Sequence, residues 1–466
     1  MGSWLPLPLR WRLVAPTLAV LAGAPGFAGA QDSSLARLIH RTRLENGLEV
    51  ITVENNAVPL ATVLLAVRNG AFTQDSADQG MAHLYEHLLF RSYGGGRPDA
   101  FGIEVSRLNG RYNGATSQEV VYYHVAVPSR NVEQGIKLVA RLVRDARFSN
   151  GDLKAERPVV LDELQRDESD PEEQLQRHVD RMLWGASWCR KDVRGDSTSL
   201  AGVTLDRLKQ TYARYYLPNN SALIVTGDVS SDRVFEQARD AFRDWRSGSD
   251  PFVDHPIPPI AQRSTSTAVV VAADVRDVTI RVALQGPGVG TDTAATYAAD
   301  ALFDVLDDPA SAFQHRLVGQ GPFQSVSGHY VTLDHTGPIE IVGKTTSERA
   351  EEALTDLFDE LESLDGLEGV SEEDLAIARK HRQVSTALTL EETALLAPQL
   401  AHWWASAGLD YYLGYHVRMA AQTVDDLRRF ARAYIVGRPR VIGVLAPPET
   451  TEQVAAALRR GVARAR

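Results

Sequence analysis

The sequence predicts an α+β protein made of two duplicated domains, and three observations carry that expectation. At 466 residues the chain is too long for one ordinary hydrophobic core. The stretch 246–263 collects Ser247, Gly248, Ser249, Pro251, Pro256, Pro258 and Pro259, the composition of a semi-rigid linker. The halves on either side of it resemble each other. Thr204, Asp206, Leu208 and Tyr215 recur as Thr423, Asp425, Leu427 and Tyr434 at a constant offset of 219.

The N-terminus stands apart from the fold. Arg10 and Arg12 precede an apolar run from Leu13 to about Ala24, and Ala28-Gly29-Ala30 forms an A-x-A signal before Gln31. This is the layout of a secretory signal peptide over residues 1–30, cleaved near Ala30–Gln31. A membrane anchor is the competing reading, but the run is short for a span and carries Pro16, Gly23 and Pro25. Gln31 rather than Cys stands directly after the cleavage site, which argues against a lipid anchor. The expected mature chain is soluble and periplasmic or secreted. It divides into a first domain at 31–245, the linker at 246–263 and a second domain at 264–466.

Composition narrows the class further. Hydrophobic residues make up 44% and charged ones 23%, the balance of a soluble globular protein. The formal net charge of −11 argues against a nucleic-acid partner, which needs clustered Lys and Arg. Cys189 is the single cysteine, so no intramolecular disulfide can form and stability must come from packing.

Each half opens on two strand-like runs. Leu48-Glu49-Val50-Ile51-Thr52-Val53 and Thr62-Val63-Leu64-Leu65-Ala66-Val67 in the first correspond to Ala268-Val269-Val270-Val271 and Thr279-Ile280-Arg281-Val282-Ala283-Leu284 in the second. Each half also closes on one, Ala222-Leu223-Ile224-Val225 and Val441-Ile442-Gly443-Val444. Strands, helices, a helix ending in an aromatic residue and a last strand follow in the same order in both, as a duplicated unit requires.

The sharpest chemical signal is His83-Leu84-Tyr85-Glu86-His87, set in a stretch with helical patterning. Residues four apart share a helix face, so both imidazoles can reach one metal ion. Glu86 lies on the same side and can hold a water and take its proton. Two His nitrogens and a carboxylate oxygen, with one position left open, suit a catalytic zinc. With 12 His in the chain, the expected number of chance matches to this pattern is on the order of a few in a hundred.

A third ligand is available downstream. Glu156 and Glu163 lie seven residues apart, two helical turns, so both carboxylates project to one face. One can bind the metal while the other orients a ligating His. The apolar Val159-Val160-Leu161 between them argues against a merely solvated face, and Pro158 argues for a kink.

On these residues the chain resembles the M16 metallopeptidases, the group of pitrilysin, insulin-degrading enzyme and mitochondrial processing peptidase. The resemblance rests on Gly80-Met81-Ala82-His83-Leu84-Tyr85-Glu86-His87-Leu88-Leu89-Phe90, on Glu163 after 75 intervening residues, and on Glu156. It also rests on Asn113-Gly114-Ala115-Thr116-Ser117 with Glu119 and Tyr123 beyond. It implies two domains of mixed sheet covered by helices, enclosing a chamber. It further implies that His83, His87 and Glu163 bind Zn2+, that Glu86 is the general base and that Glu156 supports a ligand from outside. Asn113, Gly114, Ala115 and Thr116 would hold peptide substrate as an added strand.

One departure is as informative as the match. Active family members bring an Arg and a Tyr, seven residues apart, from a C-terminal domain to the substrate. The corresponding positions here hold Leu317 and Gln324, or Arg316 and Phe323 after a one-residue shift, so the hydroxyl is missing in either register. The expectation is a zinc metalloendopeptidase whose homologous partner subunit supplies the pair. The alternatives are a non-catalytic peptide-binding or assembly subunit, against which the intact Glu86 argues, and a structural zinc protein, which normally closes its site with four ligands. Weaker candidates have plainer readings. His124 reads as a packed histidine, and Tyr93-Gly94-Gly95-Gly96-Arg97 as a flexible loop without the Lys and Ser/Thr of a phosphate site. Trp403 and Trp404 read as core or interface residues.

Overall fold

The computed structural model describes residues 37–97, 99–391 and 393–464. The expected signal peptide and its cleavage point lie outside the described residues.

The β-branched and aliphatic runs form two mixed sheets. The first contains β1 (Ile39–Arg43), β2 (Glu49–Glu54), β3 (Leu60–Val67), β4 (Arg111–Thr116), β5 (Val121–Pro128) and β6 (Ser221–Gly227), in spatial order β1-β2-β6-β3-β5-β4. The second contains β7 (Thr267–Ala272), β8 (Val278–Gln285), β9 (Phe323–Tyr330), β10 (Pro338–Thr345) and β11 (Val441–Ala446), in order β7-β11-β8-β10-β9. Apart from β1 the two orders are the same. In each sheet the last strand pairs in parallel with the first of the repeat, β6 with β2 and β11 with β7, and every other pairing is antiparallel. The duplication read from the sequence is therefore a duplication of topology.

The helices used below are α1 (Met81–Gly96), α2 (Val132–Arg144), α3 (Asn150–Ser169), α4 (Pro171–Trp184), α5 (Leu205–Tyr215), α6 (Val289–Leu306), α7 (Glu372–Glu391), α8 (Thr393–Ser406) and α9 (Val424–Tyr434). Their starts repeat too. Ser149 and Asp152 cap α3 by mutual side chain-to-backbone bonds, and Ser371 and Asp374 do the same for α7. Thr204 and Thr423 cap α5 and α9. Pro158 does not break α3, whose 20 residues run through it. Buried Leu153, Val160 and Leu164 hold the helix in place, which offsets the lost hydrogen bond. Of the apolar trio, Val160 alone is buried, and Val159 is exposed.

Sequence order and packing part company at the two outer sheet faces. Helix α4 comes from the first half, yet Leu175, Val179, Leu183 and Trp184 pack on Val271, Ala283, Val441 and Leu445 of the second sheet. Gly443 permits this contact, since a Cβ there would lie 2.3 Å from the Val179 side chain. In return α8 of the second half lays Leu396, Leu400 and Trp404 against Ile51, Leu64 and Ile224 of the first sheet. Trp404 Nε1 donates to Glu49 Oε2 at 3.1 Å, and the Arg68 guanidinium stands 4.1 Å from the ring centroid. Trp404 is thus an interface residue, while half-buried Trp403 stacks on Tyr411 and Tyr412 of its own half.

Candidate metal centre

Helix α1 positions the motif because its start is pinned. Gly80 adopts φ 80°, and a Cβ on it would sit 2.5 Å from the Arg194 carbonyl oxygen, so only glycine fits. Gln74 Oε1 accepts from Ala82 N–H at 3.1 Å, while Gln74 Nε2 donates to the carbonyls of Cys189 and Asp192. One face of α1 carries buried Leu84, Tyr85, Leu88 and Leu89 into the core. The other presents His83, Glu86, His87 and Phe90. The helix breaks at Tyr93, where Gly94 and Gly95 take left-handed conformations.

Helix α3 brings Glu163 to that face. Its Oε2 lies 3.8 Å from His83 Nε2 and 3.5 Å from His87 Nε2, and one ligand atom from each residue falls within 4.8 Å of the others. Ligands about 2.1 Å from a tetrahedral zinc stand about 3.4 Å apart, so these three residues fit the ion. Glu156, two turns upstream on α3, contributes charge at His87 but lies outside the three-residue group.

The charges respond to burial and to one another. Burial and the neighbouring His87 hold the His83 pKa below its ordinary value. At His87 burial works the same way, but hydrogen-bonded Glu163 and the charges of Glu86 and Glu156 outweigh it and raise the pKa. The His87 contact in turn holds Glu163 below the usual carboxylate range, against its own burial. Glu86 is 9% exposed, and burial raises its pKa despite the opposing effects of His87 and Thr116.

Strand β4 passes beside Glu86. Thr116 Oγ1 donates to Glu86 Oε2 at 3.1 Å, and a Cβ at Gly114 would lie 2.6 Å from Glu86 Oε1. Asn113, Gly114, Ala115 and Thr116 pair with His124, Tyr123, Tyr122 and Val121 of β5. Strand β4 is the last in its sheet, so its other edge is open to an added strand. His124 is half-buried opposite Asn113, with its pKa lowered by burial, and is not among the grouped ligands.

Two sequence profiles cover most of the chain. That of "Insulinase (Peptidase family M16)" matches residues 49–194, and that of "Peptidase M16 inactive domain" matches 202–381. The chain belongs to peptidase family M16. An uncharacterised zinc protease of Streptomyces coelicolor is 25% identical over 446 residues, 94% of either chain. The mitochondrial-processing peptidase subunit beta of Blastocladiella emersonii is 24% identical over 423 residues, 88% of either chain. Among solved structures, a protease from Helicobacter pylori superposes with TM-score 0.78 at 21% identity, over 88% of this chain and 99% of that one. The periplasmic protease PqqL of Escherichia coli superposes with TM-score 0.72 at 17% identity, over 92% of this chain and 50% of that one. Several of these relatives are named as zinc proteases or processing peptidases, and the solved structures share the fold of the M16 chain. Among the described residues no helix is long and apolar enough to cross a membrane.

The second half of this M16 chain holds a counterpart of the centre that sequence reading missed. Helix α6 follows β8 as α1 follows β3, and edge strand β9 corresponds to β4. Gly114 faces Glu86 and Phe90, four apart on α1; Gly328 faces Phe303 on α6 and Asp307, four residues on and just past the end of that helix. By that match Asp300 and Asp304 stand where His83 and His87 stand. Arg382 of α7 pairs with Asp304, and Tyr415 donates to Asp300 at 2.7 Å. Burial raises the Asp300 pKa to about 6. In place of the two histidines the second half has an internal ion pair beside a cavity of about 490 Å³. The spacing of Asp300, Asp304 and Asp307 was its one visible trace.

The positions that correspond to the Arg/Tyr pair have other partners. Arg316 pairs with Glu360, Leu317 and Phe323 are buried in the second core, and Gln324 Nε2 donates to Asp277 at 3.2 Å.

Proposed function

We propose that the chain is an exported zinc metalloendopeptidase that cleaves peptides or small unfolded polypeptides, acting as the metal-bearing subunit of a heterodimer. The observation that carries this reading is the convergence of His83, His87 and Glu163 beside the buried Glu86 carboxylate, at the open edge of β4. His83, His87 and Glu163 hold the ion, and Glu156 tunes His87 from outside. When bound, zinc lowers the pKa of a water in its open position toward about 7 and polarises the scissile carbonyl.

The chain's own groups do the rest. Residues 113–116 take the substrate as an additional strand, which aligns its backbone by ladder hydrogen bonds. Glu86, held by Thr116, takes the proton from the attacking water and returns it to the leaving amine. The working division is a metal-bearing half at 31–245, a linker at 246–263 and a second half at 264–466 that walls the chamber. The partner is assigned to a homologous subunit because residues 316, 317, 323 and 324 offer no free Arg/Tyr pair.

The test is zinc content and cleavage of a quenched peptide library by the mature chain, alone and mixed with an Arg/Tyr-bearing homologue, with Glu86→Gln as control. About one zinc per chain, with Glu86-dependent cleavage only in the mixture, is the expected result. Equal cleavage by the chain alone would remove the partner. Zinc without cleavage in either setting would leave a non-catalytic peptide-binding subunit.

A further inference from the structure

Glu119 takes no part in metal binding or proton transfer, yet it is 2% exposed and fully engaged. It sits in the tight turn between β4 and β5, where Ser117 N–H donates to the Val120 carbonyl at 2.8 Å. Its side chain leaves the first half altogether. Glu119 Oε2 accepts from Asp334 N–H at 2.8 Å, and Oε1 accepts from His335 N–H and lies 3.0 Å from His335 Nδ1. Beside it Lys191 Nζ bridges the Gln118 side chain, at 3.2 Å, to the Thr336 carbonyl, at 2.5 Å. Burial acts to raise the Glu119 pKa, but the hydrogen bond from His335 and the charge of Lys191 outweigh it and hold it below the ordinary carboxylate value.

Both sides of this contact are themselves anchored. The carbonyls of Ser117 and Gln118 accept from Ala71 and Phe72 N–H at 3.2 and 2.9 Å. On the other side, the carbonyls of Leu333 and Asp334 accept from Val289 and Gly290 N–H at the start of α6, at 2.8 and 3.0 Å. A short chain of bonds thus runs from α6 through the β9–β10 loop to Glu119 and its turn, and three residues back to Thr116 on Glu86.

We propose that Glu119 is a positioning residue, a carboxylate clasp by which the second half holds the β4–β5 turn and so sets β4 and Thr116 against Glu86. The assignment rests on the peptidase reading above for its consequence in catalysis. The second half then has a role in the reaction without contributing a group to the metal. A carboxylate suits that role because it accepts two backbone N–H groups and an imidazole at once, and charged acceptors make the stronger hydrogen bonds.

The experiment compares Glu119→Ala and Glu119→Gln in the full mature chain, mixed with the Arg/Tyr-bearing homologue. Trp404→Ala serves as a control that loosens the same two halves elsewhere. Zinc content, kcat per bound zinc, KM and amide hydrogen exchange are read together. The expected result is unchanged zinc, faster exchange at Asp334, at His335 and across 113–117, and a kcat about tenfold lower for Ala. Gln, which keeps the Oε1 acceptor, should recover part of the loss, while Trp404→Ala lowers the melting temperature and leaves kcat per zinc alone. Faster exchange at Asp334 and His335, with 113–117 and kcat unchanged, would overturn the proposal. Should the wild-type mixture cleave nothing, the peptidase reading falls, and exchange across 113–117 still decides whether Glu119 positions β4.

Discussion

Replacing Gly114 by Ala tests the site where its packing is tightest. The added Cβ would lie 2.6 Å from Glu86 Oε1 and 2.9 Å from Phe90 Cε2, whereas carbon needs about 3.5 Å from such neighbours. Phe90 is wedged among Phe101, Tyr112 and Tyr123, so the carboxylate is the group that gives way, by about 1 Å. A displacement of that size at a catalytic group costs about a hundredfold in rate. The three atoms nearest the added Cβ belong to Glu86 and Phe90 and none to the proposed ligands His83, His87 and Glu163, so zinc content should stay at the wild-type value. The assay is kcat for a quenched peptide in the two-subunit mixture, with metal content and melting temperature on the same preparation. A Gly114→Ala chain that keeps kcat within twofold would refute the placement of Glu86 as the base. One that loses zinc instead would refute the separation of ligand and base.

Further outcomes follow from the same geometry. Glu163→Gln removes the charged ligand and the partner of both imidazoles, and should lower zinc affinity at least about tenfold in a competitive chelator titration. Trp404→Ala empties a 2%-exposed site across the two halves and should cost about 3–5 kcal/mol in denaturant unfolding. Gly443→Ala puts a Cβ 2.3 Å from Val179 and should cost about 1–3 kcal/mol by the same measurement, with the metal site intact. Asp180 on α4 is raised to about 7 by burial and by Glu340, which shares the Gln176 amide with it and pairs with Arg281. The folded state therefore binds this proton more tightly than the unfolded one, whose carboxyl titrates near 3.8. Stability from this group is present at low pH and falls as pH rises from about 4 to 7. Asp180→Asn should flatten that slope in thermal melts of the metal-free chain and leave it about 1–3 kcal/mol more stable at pH 8.

Much of this molecule is written in short-range patterns. Two histidines four apart with a glutamate between them define a helix face whatever surrounds it, because 3.6 residues per turn is a property of the backbone. The same holds for the strand-like runs and for the Thr, Asp, Leu and Tyr residues repeated at an offset of 219, which carry the duplication in the sequence itself. Glu156 and Glu163 mark the limit of that reasoning. Their spacing put both on one face, and the family resemblance favoured Glu163, but its approach to 3.5 Å from His87 depends on how α3 packs on α1.

What only the tertiary structure decided lies in contacts between residues far apart in sequence. No local pattern announces that α4 and α8 cross over to each other's sheets, since an amphipathic helix carries no mark of which sheet it will cover. Nor does any pattern tell that Arg316 is taken by Glu360, that Asp300 and Asp304 stand in the place of His83 and His87, or that Glu119 reaches across to a loop 215 residues away. Local propensity determines which elements exist. The burial of their apolar faces against one another determines which side chains meet, and the chemistry depends on those meetings.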